Sequence, residues 1–145
     1  MFKHKSFIFS FIILIILAIG NYLGVKFNLY WFYRWYDIPM HILGGLWVSL
    51  FSVFLFNYLR RFFPIYFSRL NISYVVFFVI LFITICWEIF EIFGGITFIK
   101  DTGYWLDTIS DIFNAYIGGA VTYLFFIRKN KNGIELIYEN NNQIK

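Results

Sequence analysis

The segment Trp105-Leu-Asp-Thr-Ile-Ser-Asp-Ile-Phe-Asn-Ala-Tyr-Ile-Gly-Gly119 carries two carboxylates and an amide into an apolar run with no further charge before Arg128. Asp107, Asp111, Asn114 and Gly118 are spaced four, three and four apart, which places them on one helical face. A second constellation, Asp37-Ile-Pro-Met-His41, sets a carboxylate one turn from an imidazole, with Gly44 and Gly45 just beyond. Such a pair orients the imidazole as a base or as a metal ligand. A third, Trp87-Glu-Ile-Phe-Glu91, puts Glu88 and Glu91 on one face, three residues apart. Two carboxylates that close repel unless a proton, a cation or a basic partner lies between them. Capping does not explain them, because the helix macrodipole disfavours acidic groups at a C-terminal end.

Together, Asp37, Glu88, Glu91, Asp107, Asp111, His41 and the Asn114 amide make a hard, oxygen-rich ligand set. It suits magnesium, manganese or iron, or zinc bound through His41, better than a soft ion. The candidate metal ligands are therefore Asp37, His41, Glu88, Glu91, Asp107 and Asp111. In an enzyme, His41, Glu88, Glu91 and Asp111 would carry the catalysis, with Asn114 and Lys100 as further polar groups of the pocket. The same carboxylates could hold a shared proton or accept hydroxyls from a sugar-like headgroup. Asp37 and Asp107 also have a plainer reading as helix N-caps. The His-Glu-x-x-His motif, the Walker loop, the Gly-x-Ser-x-Gly elbow and the paired Glu-x-x-His of di-iron bundles are all absent.

The chain that must position these groups has 145 residues, 61% of them hydrophobic and 14% charged, against about 25% charged in soluble domains. Four stretches approach the roughly 20 apolar residues a bilayer crossing needs. They run over about 6–25, 38–59, 70–93 and 107–127, and predict an all-α, four-helix transmembrane bundle as a single domain over 1–128. Residues 129–145, rich in asparagine and lysine, read as a disordered cytoplasmic tail. Lys3, Lys5, Arg60, Arg61, Arg69, Arg128, Lys129, Lys131 and Lys145 flank one side of the spans; only Lys26, Arg34 and Lys100 flank the other. The positive-inside rule then places both termini in the cytoplasm, and four spans agree with that parity. The net charge of +4 is thus topological, and nucleic acid is not expected as a partner.

Met-Phe-Lys-His-Lys followed by an apolar run imitates a signal peptide, but no small-x-small site follows, so the first span reads as an uncleaved anchor. Cys86, the lone cysteine, reads as a small hydrophobe. The aromatic cluster Tyr30-Trp-Phe-Tyr-Arg-Trp-Tyr36 reads first as an interfacial belt and second as a wall over a lipid or sugar ligand. Residues 94–106 form a short outer connection, read as a lid bearing Lys100 and Asp101.

With the termini inside, the start of span two, the end of span three and the start of span four all lie at the outer face. At 1.5 Å of rise per residue, the polar groups then sit roughly 5–10 Å from that boundary. Charged groups inside a membrane are costly and mark functional sites by default.

The order Asp37-x-x-x-His41-x-x-Gly44, Glu88-x-x-Glu91, then Trp105-x-Asp107-Thr108-x-x-Asp111 and Gly118 resembles the YjdF-like family of small bacterial inner-membrane proteins. It is also similar to the broader VanZ-like group, through the acidic residue and histidine on one helix and the later Asp111-x-x-Asn114-x-x-x-Gly118. Glu91 stands where that group usually has glutamine, and Lys100 is the only positive charge near the place of its arginine. The resemblance covers about Asp37 to Gly119. It implies a helical membrane protein, and the link of one VanZ-type member to glycopeptide resistance implies envelope-related work.

Three functions fit these residues. The first is binding of a divalent cation, or of a lipid or lipid-linked headgroup, in an outer-face pocket. The second is a metal-dependent hydrolase or transferase on a lipid-linked substrate, with His41 or a glutamate as base. The third is a small proton-coupled transporter, assembled as a homo-oligomer because four spans enclose little pathway alone. The last requires a polar line to the other face, which the apolar inner halves of the spans do not offer.

Overall fold

The structure, a computed structural model, describes residues 2–67, 70–94 and 102–128, apart from the side chains of residues 2–5 and 34. Every regular element among them is helical. Helix α1 spans Phe2–Lys26, the short α2 spans Leu29–Phe32, and a 3-10 turn over Arg34–Tyr36 leads into α3, Asp37–Phe62. The short α4, Pro64–Phe67, is followed by α5, Ile72–Gly94, and α6, Tyr104–Thr122, which ends in a π turn over Tyr123–Ile127. The helices α1, α3, α5 and α6 are each long and apolar enough to cross a membrane. The all-α, four-helix transmembrane bundle expected from hydropathy is the observed fold.

Local chemistry sets the helix starts. Chain reversal after α1 uses Asn28 at φ 53°, a left-handed conformation that asparagine tolerates. Pro39 falls in the first turn of α3, where its missing N–H costs no bond. Asn71 Oδ1 accepts the Ser73 N–H at 3.0 Å and caps α5. Gly103, at φ 103°, starts α6. Neither Asp37 nor Asp107 is a cap: the residue before α3 is Tyr36, which makes no side-chain cap bond, and Asp107 lies inside the first turn of α6. In a first turn the macrodipole favours a carboxylate.

Helix α3 is the hub. The α1 helix packs along it antiparallel, with Phe7 against Phe54 at one end and the Tyr36 hydroxyl donating to the Gly20 carbonyl at 2.8 Å towards the other. Helix α6 runs parallel to α3, with His41 facing Asp111 and Ser49 facing Thr122. Helix α5 lies antiparallel to α6, tied by Tyr116 donating to the Phe77 carbonyl at 3.1 Å. The closest approach is between α3 and α6. A Cβ on Gly45 would fall on the Ala115 carbonyl, and one on Gly118 would fall on the Ile42 carbonyl. Small residues permit such backbone contact, which is the main route to helix association in lipid.

The core is thin: Val48, Val53, Val76, Ile80, Ala115 and Ile127. Large apolar side chains such as Phe78, Phe82 and Phe93 point outwards, as a lipid-facing surface requires. Cys86 is exposed on this outer surface of α5 and takes no part in the polar cluster described next.

Candidate functional site

The sequence spacing of α3 sets Asp37 and His41 one turn apart, and the parallel packing of α6 brings Asp111 to the same imidazole. His41 Nε2 lies 3.3 Å from Asp37 Oδ1 and 3.5 Å from Asp111 Oδ1. One ligand atom from each of the three residues falls within 4.8 Å of the other two. Asp111 is buried, at 4% exposure, whereas the Asp37 side chain keeps 32%. The imidazole is therefore reached from the open side past Asp37 and backed by Asp111.

Neither distance is that of a short charge-assisted hydrogen bond, about 2.7–2.9 Å. A tetrahedral zinc with bonds of about 2.1 Å separates neighbouring ligand atoms by about 3.4 Å. The two separations at His41 fit that edge. Two carboxylates and one imidazole suit zinc, manganese or iron(II), and three protein ligands leave at least one position for water or a headgroup. The same atoms could instead share one imidazole proton between two carboxylates.

The other expected members part company. Glu91 lines the cavity in front of His41, and its Oε1 accepts the Trp87 indole N–H at 2.7 Å. Glu88 turns towards α6, where its Oε2 accepts the Thr108 hydroxyl at 2.8 Å; its Oε1 is buried without a hydrogen-bond partner. Neither glutamate joins the three-residue group. Asp107 lines the cavity. Asn114 is buried and donates to Ser110 Oγ at 3.2 Å, so its amide serves its own helix. Lys100, and the connection around it read as a lid, lie outside the described residues, as does the tail over 129–145.

The cavity has a volume of about 1100 Å³ and is bordered by all four long helices. Asn21 and Tyr30 belong to its wall, joined by a 3.0 Å hydrogen bond from the Tyr30 hydroxyl to Asn21 Oδ1. Burial, and then the nearby Asp37 carboxylate, push the Tyr30 phenol up to about 12, so it remains a neutral donor. Of the aromatic cluster, Tyr30 and Trp31 thus border the cavity, while Trp35 faces outwards. Thr108, Ser110 and Asn21 join the site as partners that the acidic spacing does not mark. For Ser110 the signal was available, since it precedes Asn114 by four residues. For Thr108 and Asn21 only the tertiary packing reveals the partner.

Four membrane-length helices with a carboxylate–imidazole group at one end define an integral, multi-pass membrane protein. The chain belongs to the family described as predicted membrane protein (DUF2238), whose family model matches residues 1–132. No curated protein and no solved structure matches it significantly.

Proposed function

We propose that the protein lies in the bacterial cytoplasmic membrane with both termini inside, and binds a divalent cation through Asp37, His41 and Asp111 at its outer face. The bound ion is held beside a cavity that receives a lipid or lipid-linked headgroup. One observation carries this reading: His41 Nε2 stands 3.3 and 3.5 Å from carboxylate oxygens of two different helices, the spacing of ligands around one ion. The family match covers the stretch on which the YjdF-like resemblance rests and supports that resemblance. The VanZ-like one rests on its motifs alone, and with it the envelope-related role.

A second reading, metal-assisted hydrolysis or transfer on the headgroup, is favoured by the cavity, which brings Glu91 and Asp107 to the side of His41 open to a ligand. A metal there would activate water, with Glu91 as base. Transport is disfavoured, because the α3–α6 seam below the site is closed where Gly45 and Gly118 bring the backbones together.

Elemental analysis of detergent-purified protein, beside His41→Ala and Asp111→Asn, tests the cation reading. Near-equimolar zinc, manganese or iron that disappears in both variants is expected. No metal in the wild type, even after dialysis against each divalent ion, overturns it.

A further inference from the structure

We infer that the cavity seats one hydrocarbon chain of a membrane lipid in a slot between α1 and α5, and that Gly44 keeps this slot open. This rests on reading the polar end of the cavity as a headgroup site, and not on whether a metal binds.

The lining changes character with depth. Asn21, Asp37, His41 and Glu91 stand at one end, and the deepest lining residues of α1, α3, α5 and α6 are Leu17, Val48, Ile80 and Ala115. Val48, Ile80 and Ala115 belong to the core cluster and close that end. Thr84, on the wall one turn from Ile80, spends its hydroxyl on the Ile80 carbonyl at 2.9 Å. Such a wall offers water little to bond, and an empty space beside it forfeits dispersion contacts. Hydrocarbon fills it. Ile80 lies eleven positions before Glu91, roughly 16 Å at 1.5 Å of rise per residue. The hydrocarbon of one leaflet is about 15 Å thick, half of the whole core, so the slot is one leaflet deep. Helices α1 and α5 both pack on α3 and scarcely touch each other. Between them the slot opens sideways to lipid, where Ile83 borders the cavity and stands exposed on α5.

Gly44 points to the same occupant independently. It lies inside α3, where glycine weakens a helix relative to alanine. Gly24 and Gly45, also in the lining, are explained by packing, since a Cβ there would fall on the Tyr30 ring or on the Ala115 carbonyl. At Gly44, among the described residues, a Cβ would meet only Leu17 Cδ1, at 3.9 Å. What the missing side chain preserves is space, three residues below His41. A helix of a second copy, about 10 Å across with its side chains, does not pass beneath Leu17, whereas one alkyl chain does.

The test uses full-length protein in vesicles of phosphatidylethanolamine and phosphatidylglycerol. They are doped with a phosphatidylethanolamine that carries a diazirine either at one chain end or on the headgroup. Residues labelled on irradiation are mapped by mass spectrometry. The chain-end probe should label Leu17, Trp47 and Val48, and Gly44→Leu should lower that labelling about tenfold, equivalent to about 1.4 kcal/mol. Labelling of Phe78 and Phe82, which face outwards on α5, should not change. Should Gly44→Leu prove unfolded by circular dichroism, Ile83→Trp, which fills the slot from α5, carries the comparison. Undiminished labelling of Leu17 and Trp47 in the filled variant overturns the inference, as does its absence in the wild type. Absence in a protein that runs as a dimer gives the slot to a second copy. The headgroup probe separates the two ideas. Labelling beside Asp37 and Glu91 without chain labelling at Leu17 and Trp47 sinks only the slot. Absence of headgroup labelling there sinks the headgroup reading itself, whatever the chain probe shows.

Discussion

The seam between α3 and α6 contains polar residues along its whole length, yet its two parts behave differently. In its middle, Ser49 and Thr122 are both fully buried, with hydroxyl oxygens 2.6 Å apart. Ser49 also donates to the Leu46 carbonyl at 2.9 Å, and Ser52 to the Val48 carbonyl at 2.7 Å. Just above, Gly45 and Gly118 let the backbones touch. Every one of these hydroxyls has a partner, and the glycines leave no room for anything else. At the end of the seam the helices carry Asp37, His41 and Asp111, one ligand atom of each within 4.8 Å of the other two, beside an open cavity. The contrast teaches how to sort polar groups in a membrane. Those satisfied by their own bundle are scaffold, and those aimed at accessible space are candidates for function.

The largest effect should come from the middle. Gly45→Val and Gly118→Val set a branched side chain against the backbone of the facing helix and should cost upwards of about 3 kcal/mol, read as lost monodisperse protein and a lowered melting temperature. Tolerance of both would mean that the close crossing is not what joins α3 to α6. Next, His41→Ala and Asp111→Asn should weaken metal binding by more than about 100-fold, beyond the 10–100-fold typical of groups that only support a ligand, with membrane insertion unchanged. Equilibrium dialysis with zinc or manganese reads this directly.

Glu88→Gln sharpens the boundary of the site. The amide keeps an acceptor for Thr108, and Glu88 is not among the three clustered ligands, so metal loading should stay at the wild-type level; a loss would draw Glu88 into the site. The smallest change belongs to Thr122→Val, which removes the buried hydroxyl contact with Ser49. Interhelical polar contacts in membranes average about 0.6 kcal/mol, so thermal unfolding should shift slightly and metal binding not at all.

How much of this was legible beforehand follows from what each feature depends on. The four helices depend on runs of apolar residues, which composition displays. The pairing of Asp37 with His41 depends on a spacing of four, which any helix enforces. That Asp111 should lie at the same depth followed from charge bias and helix rise. The divergence of Glu88 from Glu91 did not follow, because it depends on the rotation of α5 against α6. A helix that is apolar around nearly its whole circumference gives no pattern from which to read that rotation. The Gly45–Ala115 contact shows the same limit: the glycines are visible in the sequence, but the register that opposes them to α6 is tertiary. The cavity has no sequence signature, since its lining comes from four helices and the turn after α1.

The central claim is that the end of the seam is a binding site and not part of the scaffold. Thermal unfolding of wild type and Asp111→Asn, each with and without zinc or manganese, tests it most directly. An ion at 100 times its dissociation constant should stabilise the wild type by about 2.7 kcal/mol. Asp111→Asn without metal should be at least as stable as the metal-free wild type, because repulsion from Asp37 is relieved, and added metal should not shift it. A wild type indifferent to every ion, or an Asp111→Asn protein that fails to fold, would contradict the account and make the cluster structural.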